Sequence, residues 1–432
     1  MANFYKKHLL AQKTLVAVFI QGLNVLVALV SSVLLARLLG AEGLGAYAFC
    51  MGIAQVLVIP ASLGLHQLFV REISADVAAQ NWGRIRGLLW RGNQSVCICS
   101  MMLSFGLVMA GRQFDAGSVD RSGFFWVATL LPFLALSRIN SSALRGFGNL
   151  LFSQLSEMTL RPLLFLGLIV ASFFFGGPLL PSTAVAFQAI SGIVVCILTV
   201  VFLLKRISPA VTLAKPVYEE KIWFKGSFLF ITLSGLSTLN SMLPVLMLGA
   251  LGLKSDAGFF QVAYRGSELI AFGLIAVSYI VAPELSKLYS QKKSSKLAEL
   301  IESSGKYPNI YAVIVGTIFI LSAEKIILLI YGPDFIPAVL PFRVLCVAQI
   351  LNSLFGYSGL ILNMIGSEVL TLKCLLAGFM LNVVLSAILI PGFGSTGAAI
   401  ASACGLVLWK GITVIILFKK FNIRCGPLLW CR

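Results

Sequence analysis

Charge is scarce in this chain of 432 residues. Asp, Glu, Lys and Arg together make up 11% of it, while 59% is hydrophobic. Soluble domains carry about 25% charged residues. A soluble fold this apolar would expose patches too large to stay dispersed, which excludes a soluble enzyme or binding module. Catalytic fingerprints are also lacking. There is no phosphate-binding loop, no dinucleotide fingerprint and no zinc-protease helix. The adjacent carboxylates Glu219 and Glu220 read as a solvated pair in a linker. Histidine is reduced to His8 and His66, far apart and without metal-ligand spacing. Of the cysteines, Cys50, Cys97, Cys99, Cys196, Cys346, Cys374 and Cys404 lie in or beside apolar runs, where cysteine acts as a small hydrophobe. Cys425 and Cys431 fall in a C-terminal tail. Neither a disulfide framework, nor a metal, nor any other cofactor is expected, and the chain does not read as an enzyme.

Long apolar runs are what the chain does have, and mean hydropathy is +0.96. About 20 apolar residues cross a hydrocarbon core of roughly 30 Å. The runs predict an all-α polytopic membrane protein of about twelve spans: 14–36, 44–68, 93–111, 122–143, 156–175, 182–204, 226–250, 258–282, 307–322, 340–363, 371–390 and 396–418. The basic start (Lys6, Lys7, Lys13) leads into a segment too long for a signal-peptide core, so the helix from Thr14 is expected to be retained.

The formal charge of +17 could indicate nucleic acid, but the cations fall in short loops between apolar runs. With a cytoplasmic N-terminus, about 25 of the 33 basic residues lie inside, Arg138, Arg145 and Arg161 among them. That asymmetry predicts both termini in the cytoplasm. The basic inside segments 69–92, 205–225 and 284–306 serve topology or touch anionic head groups.

A weak repeat runs through the chain. "PSTAVAFQAISGIVV" (181–195) is similar to "GSTGAAIASACGLVL" (394–408) at an offset of 213. At that offset Gly45 falls on Gly258 and Tyr47 on Phe260. Two pseudo-symmetric six-helix lobes follow: 1–206, a cytoplasmic linker 207–220, and 221–432 with a short basic tail. A two-fold along the membrane normal would relate them, with a site at their interface.

Polar residues inside the spans are the candidates for that site. Gln21, Asn24 and Ser31 share one helix face, as do Ser234, Ser237 and Ser241 ahead of Pro244. Such faces serve either as glue between helices or as the lining of a wet cavity. Arg265 and Glu268 lie inside "FFQVAYRGSELIAFGLIAVSYIV", and the offset puts Glu268 over Gln55. Three residues apart, the two charges can neutralise each other as a structural pair. Alternatively the arginine fork takes a phosphate and Glu268 is its resting counter-ion or a proton carrier. Lys410 either snorkels to a head group or supplies a second cation.

"SSVLLARLLGAEGLGAYAFCMGIAQVL" (31–57), "LGLHQLFVREIS" (63–74) and "ALRGFGNLLFSQ" (143–154) resemble the bacterial polysaccharide repeat-unit flippases. These belong to the superfamily of the multidrug and toxic-compound extrusion (MATE) pumps and the lipid II flippases. The resemblance implies a MATE-like fold in a bacterial cytoplasmic membrane. It further implies flipping of an undecaprenyl-diphosphate-linked oligosaccharide by alternating access of the two lobes, for O-antigen, capsule or exopolysaccharide. Substrate-binding residues would then be Arg265, Glu268, Lys410, Gln21, Asn24, Gln55, Ser234 and Ser237. Partners would be the lipid-linked oligosaccharide, membrane lipids and polysaccharide polymerase machinery, not nucleic acid, and the chain would act as a monomer. The rival within the fold is a cation-coupled multidrug antiporter, which would want carboxylates in its cavity. A membrane glycosyltransferase would want a sizeable outside loop that this chain lacks, and a channel would not need a two-lobe repeat.

Overall fold

The computed structural model describes residues 2–113, 121–176, 179–291 and 293–423. Lys292 and the tail with Arg424, Cys425, Cys431 and Arg432 lie outside the described residues. Every regular element described is helical. The order is α1 (Ala2–Ala61), α2 (Leu65–Ala79), α3 (Trp82–Gln113), α4 (Arg121–Gly146), α5 (Leu150–Gln154), a π-helical turn (Leu155–Leu160), α6 (Arg161–Phe174), α7 (Pro181–Arg206) and α8 (Pro209–Leu213). It continues with α9 (Glu220–Ala250), α10 (Lys254–Ser290), α11 (Ser294–Leu321), α12 (Ala323–Ile330), a 3-10 turn (Pro333–Ala338), α13 (Val339–Leu354), α14 (Ser358–Met364) and α15 (Glu368–Phe421).

Helices dominate because a bilayer offers the backbone no partner outside the chain. Among the described residues eight helices are long and apolar enough to cross a membrane, nine if the bent pair Ser295–Leu321 and Ala323–Ile330 is one span. Two of the eight are interrupted. α1 breaks at Gly40 (φ 67°) and α15 at Gly394 (φ 53°), a left-handed backbone that favours glycine. The second half of α15 restarts where the Ser395 amide donates to Asp256 Oδ1 at 2.8 Å. Many large apolar side chains are exposed, for example Met102, Phe105, Phe174 and Ile388, as lipid-facing surface requires.

Each expected apolar segment falls mainly on helix, with three differences of extent, one being that the segment expected at 340–363 divides into α13 and α14 at a turn through Gly356 (φ 61°). The segment expected at 44–68 stops at Ala61, because Leu63 (φ 49°) and Gly64 (φ 62°) turn the chain before α2 begins. The segment expected at 307–322 is the end of a helix that starts at Ser294 and meets α12 at a 75° bend.

The chain divides into two compact units. One comprises Met1–Gln21, Gly40–Gly45 and Leu243–Arg432; the other comprises Gly22–Leu39 and Ala46–Met242. In the second unit the core is built from α2, α3 and α4 around Phe69, Ile85, Leu131 and Ile139, with Val211 of α8 and Trp223 of α9 joining it. The linker ahead of α9 is strapped to this core. Arg86 donates to the Ala214 carbonyl (2.7 Å) and the Val217 amide to Gly83 (3.0 Å). Gly87 lets the Val217 backbone approach where any side chain would collide. Arg84 ties the same region together, reaching Glu72 (3.0 Å), the buried Asp76 (3.1 Å) and Glu219 (2.9 Å). α9 docks through Gly64, against which Ser227 and Ile231 pack.

In the first unit Leu274, Val281, Leu285, Ile361, Leu362 and Leu417 form the core of α10, α14 and α15. Two close backbone approaches lie there as well. The Lys254 carbonyl lies against the Cα of Gly45, and the Ala41 carbonyl lies against the Cα of Gly258. Residues 41 and 45 plus the offset of 213 are 254 and 258, so the two approaches exchange places under that offset. Lys254 Nζ bridges to Glu42 at 3.2 Å beside it.

Candidate functional site

A polar pocket of about 280 Å³ lies within the second unit. Asn24 reaches it from α1 before the Gly40 break and Gln55 from α1 after it. Ser137 and Arg138 come from α4, and Arg161 from the first residue of α6. Val58, Leu134 and Val195 form apolar wall. No carboxylate is among the described residues lining it. Arg138 and Arg161 bring two basic side chains to its lining. Asn24, Gln55 and Ser137 add neutral donors and acceptors. The arrangement suits an anion with hydroxyls or amides attached.

The supports of this pocket are hydrogen-bonded. The Ser142 hydroxyl donates to the Arg138 carbonyl (2.9 Å), and Arg145 Nη2 donates to Ser142 Oγ (2.8 Å). Two residues after Arg138 on α4, Asn140 Nδ2 donates to Asn93 Oδ1 (2.9 Å) and to the Leu136 carbonyl (2.9 Å). Buried Ser141 joins α4 to the chain entering the π turn, its hydroxyl 3.0 Å from the Ser153 carbonyl and 3.1 Å from the Ser153 hydroxyl.

The residues singled out from sequence divide between the units. Asn24 and Gln55 meet in the pocket. Ser234 and Ser237 belong to the same unit, on α9, where Ser234 is half-buried and Ser237 exposed. Gln21, Arg265, Glu268 and Lys410 belong to the other unit. There Arg265 Nη1 donates to Glu268 Oε2 at 3.1 Å, an intrahelical ion pair with both side chains more than a third exposed. Lys410 Nζ stands 4.7 Å from the centre of the neighbouring Trp409 ring. The arginines that do line the pocket, Arg138 and Arg161, stood in the sequence only as inside cations. Both fall within expected spans, 122–143 and 156–175, and that placement was the signal that could have singled them out.

The backbone arrangement defines the class of protein. It superposes on the lipid II flippase MurJ in an inward closed conformation with a TM-score of 0.73 at 14% identity, over 92% of this chain and 86% of that one. It also superposes on an inward-facing multidrug resistance MATE family transporter with a TM-score of 0.71 at 16% identity, over 91% and 93%. The fold is therefore that of a multi-pass membrane protein of the MATE and MurJ kind. The chain belongs to the polysaccharide biosynthesis protein family, whose model matches residues 10–288. Among curated proteins it is similar to "Probable low-salt glycan biosynthesis flippase Agl15" of Haloferax volcanii, 23% identical over 404 residues, 92% of this chain and 81% of that protein. It is also similar to "Probable flippase AglR" of the same organism, 26% identical over 184 residues, 41% of this chain and 38% of that protein.

Proposed function

We propose that this protein flips a polyprenyl-diphosphate-linked oligosaccharide across a membrane, with Arg138 and Arg161 receiving the anionic part of the head group. The observation that carries the reading is the polar pocket lined by Arg138 and Arg161 with Asn24, Gln55 and Ser137. A pocket for cationic drugs would need the opposite sign. Size refines the assignment. About 280 Å³ is at the lower end of ligand pockets, which run about 300–1,000 Å³. It suits the phosphates and adjoining sugar, not a whole repeat unit. Family membership and the two flippase relatives support a glycan-flipping role, and a fold solved elsewhere in inward-facing and outward-facing forms suits alternating access. The carrier is undecaprenyl and the site of action a bacterial cytoplasmic membrane, upstream of the polymerase for O-antigen, capsule or exopolysaccharide; the chain acts as a monomer by alternating access. Arg265, with Glu268 as its resting counter-ion, and Lys410 are cations for later steps of the same passage.

The test is surface polysaccharide in a strain deleted for this gene, complemented at matched membrane levels with wild type, Arg138→Gln or Arg161→Gln. Restoration by wild type alone is expected. Restoration by both variants would remove the pocket from the mechanism. Unchanged polymer on deletion would overturn the flippase reading in favour of a cation-coupled multidrug antiporter of the same fold.

A further inference from the structure

The chain between α7 and α9 runs across α3 as a strap, and its backbone is spent on that helix. Arg86 Nη1 donates to the Ala214 carbonyl (2.7 Å), and the Val217 amide donates to the Gly83 carbonyl (3.0 Å). The carbonyls of Lys215 and Val217 lie against Gly83 and Gly87, where any side chain would collide. Glycines four apart share one helix face, and here they form a groove that seats the strap.

The phase of α3 tells which way that groove faces. At about 100° per residue, Gly83 and Gly87 lie within about 60° of Trp90, Ile98, Met101 and Phe105. All four of these side chains are exposed, Trp90 by 67%, on a helix long and apolar enough to cross a membrane. They mark its lipid face. The strap therefore lies on the lipid face too, at the end where the apolar stripe begins. Trp90 stands about 5 Å beyond Gly87 along the helix, in the place of an interfacial aromatic.

The side chains of the strap suit that depth. Leu213 is 83% exposed, and Val217 and Tyr218 are half exposed. Lys215 between them is exposed, as is Arg86. The one carboxylate of residues 213–219, Glu219, is held by Arg84 at 2.9 Å. Exposed apolar groups interleaved with cations are the composition of a segment that rests on an anionic membrane surface.

We propose that the strap, residues 213–218, binds the head-group layer beside α3. Leu213, Val217 and Tyr218 reach the acyl boundary, and Lys215, with the charge of Arg86 close by, takes the phosphate of an anionic lipid. Lipid on one side and the glycine groove on the other then hold the connection between α7 and α9 in place. The inference is independent of the flippase reading of the pocket.

The test uses the full-length chain in vesicles of phosphatidylcholine mixed with phosphatidylglycerol. Leu213→Trp reports depth through its emission relative to wild type. That emission should be quenched by lipids brominated on the acyl chains and spared by aqueous iodide. Quenching by iodide alone overturns the proposal and leaves the strap to water or to a protein partner. Tyr218→Trp gives the same reading should Leu213→Trp fail to fold. Charge is read in detergent, by thermal stabilisation on adding either lipid. Wild type should respond to phosphatidylglycerol at lower concentration than to phosphatidylcholine. Lys215→Gln should raise the phosphatidylglycerol midpoint by about fivefold, the worth of one cation near an anionic surface, and Lys215→Arg should restore it. A merely structural lysine would change stability and leave both midpoints alone; an unchanged phosphatidylglycerol midpoint in Lys215→Gln overturns the assignment to anionic lipid.

Discussion

Replacing Gly258 with alanine would place a methyl group on the Ala41 carbonyl oxygen and 3.0 Å from its carbon. Replacing Gly45 would place one on the Lys254 carbonyl oxygen, 2.8 Å from its carbon and 2.9 Å from the Gly258 nitrogen. Carbon–oxygen contacts across helices settle at about 3.3–3.6 Å. The two helix starts must therefore part by roughly an ångström or more, and the obstacle is backbone that cannot rotate away. Overpacking of this kind costs about 1–3 kcal/mol, so each single variant should lose about 2 kcal/mol. The two-fold geometry makes a sharper prediction. Both methyls demand the same separation of the same helices, so the double variant should cost little more than the worse single. Unfolding of the full chain by SDS titration in mixed micelles measures all three. Strictly additive losses would refute a shared displacement. Single losses below about 0.5 kcal/mol, the level of ordinary surface substitutions, would refute the close approach itself.

Two further outcomes follow from the ion pairs. Arg84→Gln should destabilise the chain by about 3 kcal/mol, because Asp76 is 2% exposed and would keep a buried charge without its partner; Glu219→Gln, whose partner retains two other carboxylates, should cost under about 1 kcal/mol in the same titration. Arg265→Ala should slow polysaccharide export at matched protein levels, and Glu268→Gln should slow it too if Glu268 carries a proton; full export in Glu268→Gln removes proton carriage from that residue.

Much of the architecture was legible in advance. A run such as "GLNVLVALVSSVLLARLL" has no soluble alternative, and length alone makes it a spanning helix. The 213-residue offset pointed to Gly45 and Gly258 from a handful of matched residues, and the structure presents them as a reciprocal contact. Other features were not readable. Nothing in "HQLFVREIS" distinguishes the tail of a spanning helix from a separate α2, since the turn depends on left-handed backbone at Leu63 and Gly64 held by packing against α9. Arg265 and Glu268 stood out because they interrupt an apolar run, yet they satisfy one another within one helix. Arg138 and Arg161 looked like boundary charges and line the pocket instead.

What the amino-acid sequence determined by itself is the environment and the secondary structure: a helical, multi-pass chain with a strong cation bias. The cause is the bilayer, which forbids unsatisfied backbone and so turns apolar length directly into helix. What only the tertiary structure decided is which polar side chains meet. That depends on helix phase, and in stretches such as "RPLLFLGLIV" nearly every residue is apolar, so hydrophobicity is the same all the way round and records no phase. The π turn at Leu155–Leu160, which alters helix phase just ahead of Arg161, is likewise unmarked by any hydrophobic pattern.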